Sequence, residues 1–329
     1  MKPRSTYNPL LPFIKKDWTG NPLNEKNQYI NLDGASERSF RELLKWQTET
    51  NPLKALKRKQ TAGIDVITGA NFAKSTDDGF TWLGHATFLF TLAGKHFITD
   101  PVLYNVGPVK RHTPLPCSVA DLKQIDFILL SHNHRDHADQ KSMQHLCALN
   151  PKAIILTGLE IAPLLRSWNI TNPIVEAGWY QTYSLEADVT VTYLPAKHWN
   201  RRGLTDMNTM LWGSFMLQSK HHNIYFGADS GMGIHFAEIG ELFPSIDYAL
   251  LGIGAYKPEW FMHTAHTSPA DVLGAHKQLK AAQLVPMHHA TFDLSDEPIF
   301  YPKQELIRLQ QEQNMEDVLH LAIGKKHFL

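Results

Sequence analysis

Ser131 to Gln140 read SHNHRDHADQ, which puts three histidines and two aspartates within ten residues. The segment follows the apolar run IDFILL, too short for a helix and bounded by polar residues, so it reads as the end of a buried strand. In extended backbone alternate side chains share a side, and His132 and His134 therefore aim at one point. Asp136 and His137 follow as the chain turns towards a helix and reach a second, nearby point. Neutral imidazoles with a carboxylate suit zinc, and iron or manganese accept the same set. The alternative, a polar loop of solvated histidines, fits poorly because one strand end seldom gathers four such side chains without a use. Four side chains do not complete two coordination shells, so ligands from elsewhere are required. Three candidates each close an apolar run: His198 after VTVTYLPAK, Asp229 after HHNIYFGA, and His288 after AAQLVPM. An aspartate between two cations can bridge them, and Asp229 is the obvious one. Between His288 and His289 the residues alone do not decide.

The rest of the chain frames this cluster. With 329 residues, 43% of them hydrophobic and 19% charged, it has the composition of a globular protein with a large core. Lys+Arg and Asp+Glu both number 32, so no net field draws in a polyanion, and nucleic acid is a poor partner. The first twenty residues carry basic side chains without a following apolar run, unlike a secretory signal, and no stretch approaches the ~20 apolar residues of a membrane span. Eighteen histidines stand against two cysteines, Cys117 and Cys147, which fits reduced thiols in a cytoplasmic protein.

Residues 1–79 are rich in Asn, Pro and Lys and read as an irregular arm with two short helices. One is SERSFRELLKWQ, with Ser36 or Ser39 as cap. The other opens at Pro52 and carries Lys54, Lys57, Arg58 and Lys59. The expected place of Phe40, Leu43, Leu44 and Trp46 is against the main domain, with peripheral contact to the inner membrane surface as the alternative. Residues 80–329 read as one catalytic domain. TWLGHATFLFTLAGKHFITDP gives two apolar runs joined at Gly94. Strands at IDFILLSH, KAIIL, VTVTYLPAKH, TMLWGSFMLQ, HHNIYFGADS, IDYALLGIG and AAQLVPMHH are interspersed with helices at DQKSMQHLCALN, LEIAPLLRSWN, HFAEIGELF and SPADVLGAHKQLK. PKQELIRLQQEQN is expected to close the chain as an exposed helix. A mixed sheet covered by helices follows.

SHNHRDH resembles the H-x-H-x-D-H motif of the metallo-β-lactamase fold. TWLGHATFLF, ITDPVL, GPVKRHTPLPCSVADL, PAKHWNRRG, LWGSFML, FGADSGM, IGAYKPEWFM and PMHHATF resemble, in order, segments of the N-acyl-phosphatidylethanolamine-hydrolysing phospholipase D family. The resemblance covers roughly residues 80 to 300 and implies an α/β, four-layer αββα sandwich behind the N-terminal arm. It implies two divalent ions, zinc first and iron or manganese next. His132, His134 and His198 would hold one, Asp136, His137 and His288 the other, and Asp229 both. Asp100, in ITDP, would fix the ring and tautomer of a ligand histidine; a turn aspartate before Pro101 is its alternative. His85 would approach the site from the hairpin, or serve as a structural histidine. The chain departs from the family at His289, where a tryptophan commonly follows the last metal histidine, at Ala265, where the mammalian enzyme has glutamine, and in the arm before residue 80, which aligns poorly.

Two metals sharing a water lower its pKa from ~15.7 towards 7 and clamp an oxygen on which charge builds. Hydrolysis is the chemistry this implies, with Asp136 and Asp229 among the catalytic residues. On a phosphodiester, hydroxide would attack phosphorus in line, and His266 is a candidate proton donor to the leaving alkoxide. Tyr256, Trp260 and Phe261, in YKPEWFMH, offer an apolar pocket for acyl chains, with core packing as the alternative. The expected function is a phosphodiesterase on a small-molecule or lipid phosphodiester. A metal-dependent lactone or ester hydrolase is the second reading, and a non-catalytic metal sensor or redox scaffold the third. No G-x-S-x-G supports a serine hydrolase. The residues carry no signal for oligomeric state.

Overall fold

The computed structural model describes residues 6–34, 40–59, 63–69 and 75–329. Among them the helices are α1 (Phe40–Thr48), α2 (Lys54–Lys59), α3 (Gln140–Leu149), α4 (Ala162–Ser167), α5 (His235–Leu242), α6 (Glu259–Met262), α7 (Pro269–Leu279) and α8 (Tyr301–Glu312). The strands begin with β1 (Gly79–Gly84), β2 (Thr87–Leu92), β3 (Lys95–Thr99), β4 (Phe127–Leu130), β5 (Ile154–Gly158) and β6 (Ile174–Ala177). They continue with β7 (Gln181–Tyr183), β8 (Thr190–Leu194), β9 (Ser214–Gln218), β10 (Asn223–Phe226), β11 (Tyr248–Gly252), β12 (Gln283–Met287) and β13 (Lys326–Phe328).

Two mixed sheets result, a seven-stranded one ordered β13-β1-β2-β3-β4-β5-β6 and a six-stranded one ordered β12-β11-β10-β9-β8-β7. Strands with both faces buried lose the polar alternation of an exposed sheet, which is why their sequences read as unbroken apolar runs. β4 shows the division. Phe127 and Leu129 enter the core shared with the second sheet, while Ile128 and Leu130 pack with Met143 and Leu146 of α3 and Leu165 of α4. Across the sheet–sheet layer Phe88 meets Phe226 at 6.5 Å between centroids, and Phe80 meets Tyr248 at 5.2 Å. Phe236 and Ile239 of α5 and Val272 and Leu273 of α7 cover the second sheet. The layers are α, β, β, α.

The structure corrects the expectations in several places. TWLGHATFLF is two antiparallel strands, because the chain reverses through Gly84 (φ +106°) and His85 (φ +53°). A run buried on both faces gives no periodic sign of such a turn. β6, β7 and α6 are further elements, and β13 lies beyond α8, its Phe328 opposite Gly79 of β1. The second turn falls where expected, with Ala93 (φ +48°) and Gly94 (φ +73°) between β2 and β3.

The described parts of the arm are tied into the fold. Gln181 Nε2 donates to the carbonyls of Asn8 (2.7 Å) and Leu11 (2.9 Å), and Tyr29 is fully buried. Val66 bridges to Ile323. Ser36 and Ser39, the expected caps, lie outside the described residues, as does the side chain of Phe40. The remaining apolar residues of α1 are only partly covered by the main domain: Leu44 is 49% exposed, whereas Leu43 and Trp46 are half-buried at the mouth of the central pocket, Trp46 against Phe261. No helix of the described residues is long and apolar enough to cross a membrane. Cys117 and Cys147 are free thiols.

Two buried histidines set an acid limit on this core. Burial pushes the His235 pKa down to about 3, with Lys197 adding and Asp33 opposing. Burial, with help from Lys303, pushes His289 down to about 3 as well. Both rings stay neutral in the fold, whereas an unfolded histidine takes up a proton near pH 6.5. Stability should therefore fall as pH drops from 6.5 towards 3, by about 1.4 kcal/mol per pH unit for each ring. Urea midpoints between pH 6.5 and 4.5 measure this. His235→Gln should flatten the slope, and an unchanged slope would dismiss the contribution.

Candidate metal centre

The site lies beyond the C-terminal ends of four strands from both sheets. β9 runs antiparallel to β8 and to β10, and β10, β11 and β12 are mutually parallel, so β8, β10 and β12 point one way. Their exits deliver His198, Asp229 and His288 to one side, and β4 delivers the SHNHRDH loop to the same place. There the amides of His137 (3.1 Å) and Ala138 (2.7 Å) donate to the His134 carbonyl and curl the loop. Asp139 caps α3 by accepting from the Ser142 amide (2.8 Å). Arg202 Nη1 donates to the carbonyls of Asn133 and Ala138, each at 2.8 Å, and pins the loop from outside.

Two groups of donor atoms form. In the first, His134 Nδ1 is 3.0 Å from His132 Nε2 and 3.0 Å from His198 Nε2. Asp229 Oδ2 stands 4.0 Å from the first of these Nε2 atoms and 3.7 Å from the second. In the second group, His137 Nε2 is 3.2 Å from His288 Nε2, and Asp136 Oδ2 is 3.5 Å from both. Asp229 reaches this group too, with Oδ2 3.2 Å from His137 Nε2 and Oδ1 3.0 Å from His288 Nε2. The seven expected ligands are thus together, with Asp229 between the groups.

These contacts test whether a metal fits. One ring nitrogen has a single lone pair or a single hydrogen, so hydrogen bonding among the rings serves only one of the two neighbours of His134 Nδ1. A cation accepts all three lone pairs. Zinc–nitrogen bonds of about 2.0–2.1 Å at tetrahedral angles separate the nitrogens by about 3.3 Å, close to the spacings found. The opposite nitrogens are held from behind. His198 Nδ1 meets the Ala265 carbonyl at 3.0 Å, and His137 Nδ1 meets Asp100 Oδ2 at 2.7 Å. His132 Nδ1 lies 2.8 Å from Ser131 Oγ, which donates to the same Asp100 oxygen at 2.6 Å. Asp100 Oδ1 accepts the Ser131 amide at 2.7 Å. One carboxylate thus orients a ring in each group and fixes which nitrogen faces the site.

The electrostatics match. Burial opposes charge on His137, but Asp229, Asp136 and the bond to Asp100 together hold its pKa well above the ordinary range. Burial likewise opposes charge on His288, and Asp229 with Asp136 raises it to about 9. Burial would raise Asp229 and Asp136, yet the facing histidines keep both well below the usual carboxylate range. The carboxylates favour positive charge between them, and a metal taking that place must displace the ring protons.

His266 lines the pocket, its Nδ1 3.8 Å from Asp229 Oδ2. His85 is closer than a supporting position: its Nε2 is 3.1 Å from Asp136 Oδ2, its ring 4.0 Å from His288, and its donor atom falls within ligand distance of the second group. Burial, aided by the His288 charge, lowers its pKa to about 3. His289 points away and packs on Trp82 at 4.9 Å between centroids. Of the aromatic residues expected to bind substrate, Phe261 lines the pocket and two do not. Tyr256 is buried in the core beside Glu297, which accepts from its amide (3.2 Å). Trp260 lies on the outer face of the short α6, with the Lys45 amine 4.3 Å over its ring. The pocket takes its apolar wall instead from Leu43, Trp46, Trp199, Met207, Met262 and Leu294, and two cations from Arg135 and Arg201. Sequence reasoning missed these, although Arg135 sits inside the motif and Trp199 directly follows a ligand.

Residues 95–289 match the model of the β-lactamase superfamily domain. The chain is 32% identical over 265 residues to N-acyl-phosphatidylethanolamine-hydrolyzing phospholipase D 1 of Caenorhabditis elegans, covering 76% of this chain and 74% of that one. It is 32% identical over 244 residues to the mitochondrial N-acyl-phosphatidylethanolamine-hydrolyzing phospholipase D of Saccharomyces cerevisiae, covering 70% of this chain and 51% of that one. Among solved structures, isothiocyanate hydrolase from Delia radicum gut bacteria superposes with a TM-score of 0.63 at 20% identity, covering 76% of this chain and 98% of that one, a likeness of fold. With its donor groups at the strand ends of an αββα sandwich, the chain belongs to the metallo-β-lactamase superfamily of metal-dependent hydrolases, in the branch of the N-acyl-phosphatidylethanolamine-hydrolysing phospholipases D.

Proposed function

We propose that the protein is a two-metal phosphodiesterase that cleaves the headgroup ester of an N-acylated glycerophospholipid. The observation that carries this reading is the pocket. About 320 Å³ of space is floored by His134, Asp136, Asp229, His266 and His288, walled by apolar side chains, and flanked by Arg135 and Arg201. An amphiphile with an anionic reacting group matches that lining, whereas a neutral lactone gives the arginines no charge to pair with.

His132, His134 and His198 would hold one ion, Asp136, His137 and His288 the other, and Asp229 both. Zinc suits this nitrogen-rich donor set, and iron or manganese accepts it. Bound metal supplies a water acidic enough to react as hydroxide near neutral pH, together with a positive field for oxygens that gain charge. The arginines orient the diester, the apolar wall excludes bulk water, and the His266 ring gives a proton to the leaving oxygen. Peripheral membrane contact through the arm belongs to the same proposal. Lys54, Arg58 and Lys59 of α2 are exposed, while Lys57 is paired with Asp293 at 2.5 Å. Each free charge would contribute about 1 kcal/mol at an anionic surface.

Turnover of bis(p-nitrophenyl) phosphate, N-acylated phosphatidylethanolamine and a lactone panel, with metal content measured on the same batch, tests the proposal. Cleavage of lactones with every diester left intact would refute it, and tight metal without any turnover would favour a sensor. The wall gives a separate prediction. Trp46 stacks on Phe261 at 5.2 Å and donates to Asp296 Oδ1 at 3.1 Å. Removing its indole forfeits about 1.5–3 kcal/mol of apolar contact. Trp46→Ala should raise KM for the acylated lipid at least about tenfold and affect bis(p-nitrophenyl) phosphate less. Equal effects on the two would place Trp46 outside acyl recognition.

A further inference from the structure

We infer that a second anion site adjoins the metal pocket, formed by Arg135, Lys141 and Arg202, and that it takes an additional phosphate or carboxylate carried by the substrate. A hollow of about 280 Å³ lies between the metal loop and the start of α3. Three cations and one carboxylate, Asp139, line it. That carboxylate is committed elsewhere, since Asp139 Oδ2 accepts from the Ser142 amide at 2.8 Å and from Ser142 Oγ at 2.5 Å. The other acids nearby, which add to the pull on Arg202, are also engaged by other groups. Asp206 accepts from the amides of Arg202 (3.2 Å) and Gly203 (2.7 Å), and Asp136 faces His85.

The cations, by contrast, are available. Arg202 is held rigidly by its two Nη1 bonds to the metal loop and by the Trp168 ring, 4.7 Å from its guanidinium carbon. Its Nε and Nη2 have no hydrogen-bond partner among the described residues. Burial and then the like charge of Arg135 lower its pKa to about 10, with Asp139, Asp206 and Asp136 opposing. Arg135 is exposed and makes no hydrogen bond or ion pair with the described residues, and the Lys141 amine rests 4.1 Å over the Tyr104 ring. A fixed guanidinium fork with two further cations is arranged for an oxyanion, which relieves the repulsion and accepts charge-assisted bonds. Arg135 also lines the metal pocket, standing between His134 and Asp136 in sequence, so the two spaces share a wall. A single molecule can set its scissile phosphate on the metal floor and a second anion here. The substrate part of this inference rests on the phosphodiester reading. The anion site itself does not.

The test compares two lipids differing only by a headgroup carboxylate, N-acylated phosphatidylethanolamine and N-acylated phosphatidylserine, with the metal-loaded full chain. The wild type should favour the carboxylate by about tenfold or more in kcat/KM, the worth of about one good charge-assisted contact. Arg135→Gln and Lys141→Gln should each cut that ratio to about half or less. Arg202 is left intact because it pins the metal loop. Crystals soaked in sodium tungstate should show the anion in the hollow of the wild type and lose it in the double variant. Ratios unaffected by both substitutions, or tungstate at the metal floor alone, would overturn the site. Tungstate in the hollow with both lipids cleaved alike would overturn the substrate assignment in favour of free inorganic phosphate. Tungstate in the hollow with neither lipid cleaved would overturn the phosphodiester reading and leave the anion site standing.

Discussion

Asp229→Asn is expected to lower kcat/KM by about a thousandfold or more and to release at least part of the bound metal. Asp229 offers its oxygens to both donor groups, 3.2 Å from His137 Nε2 and 3.7 Å from His198 Nε2. Asparagine keeps the volume but replaces a charged oxygen pair with one carbonyl and one NH2, which repels a cation. Metal contributes several kcal/mol to the stabilisation of developing charge, and each 1.36 kcal/mol is a factor of ten in rate. The same change removes one of the carboxylates that favour charge on His137 and His288, so both rings should titrate lower in the metal-free variant than in the metal-free wild type. Metal content by elemental analysis, turnover of bis(p-nitrophenyl) phosphate and histidine titration by NMR follow the three effects. Full metal content with near-normal turnover would remove Asp229 from the centre.

The second large effect is expected at Asp100, which touches no substrate. Asp100→Ala should weaken metal binding by about 10–100-fold, and a competitive chelator titration measures it. The residue accepts from His137 Nδ1 at 2.7 Å, from Ser131 Oγ at 2.6 Å and from the Ser131 amide at 2.7 Å, all fully buried. Without it, Ser131 loses the acceptor that orients its hydroxyl towards His132, so rings of both groups are freed at once. A conservative variant separates position from charge. Asp100→Asn can still accept one bond and should recover part of the affinity. Unchanged affinity in the alanine variant would return Asp100 to an ordinary turn residue.

Much of this centre could be read from residues alone because its chemistry is local. The motif needs only a strand end and a turn to bring His132, His134, Asp136 and His137 together, and each distant ligand closes an apolar run that had to be a strand. Other features had no such sign. The reversal at His85 lies within residues buried on both faces, so nothing in their polarity marks it. β7, with the sequence QTY, is too short to show a period. Trp46 and Leu43 look like any apolar face of an arm helix, and only the packing of α1 near α6 turns them towards the pocket. Trp260 failed for the opposite reason, since aromatic type says nothing about the side of a four-residue helix on which a ring will lie, and Tyr256, ahead of that helix, turns into the core beside Glu297. Arg135 and Arg202 resemble surface arginines until the loop and α3 enclose a space between them.

The placement of the donor atoms also bears on how the molecule holds together. The first sheet contributes its ligands through one loop, after β4, and the second contributes His198, Asp229 and His288. Each donor group draws from both sheets, so an ion bound to either is a cross-link between the two halves of the sandwich. By mass action, ions present at a thousand times their dissociation constant would strengthen the fold by about 4 kcal/mol. The core the sheets share still joins them without metal, so chelation should lower the temperature of one melting transition, and the ions would then act as rivets in the architecture they serve.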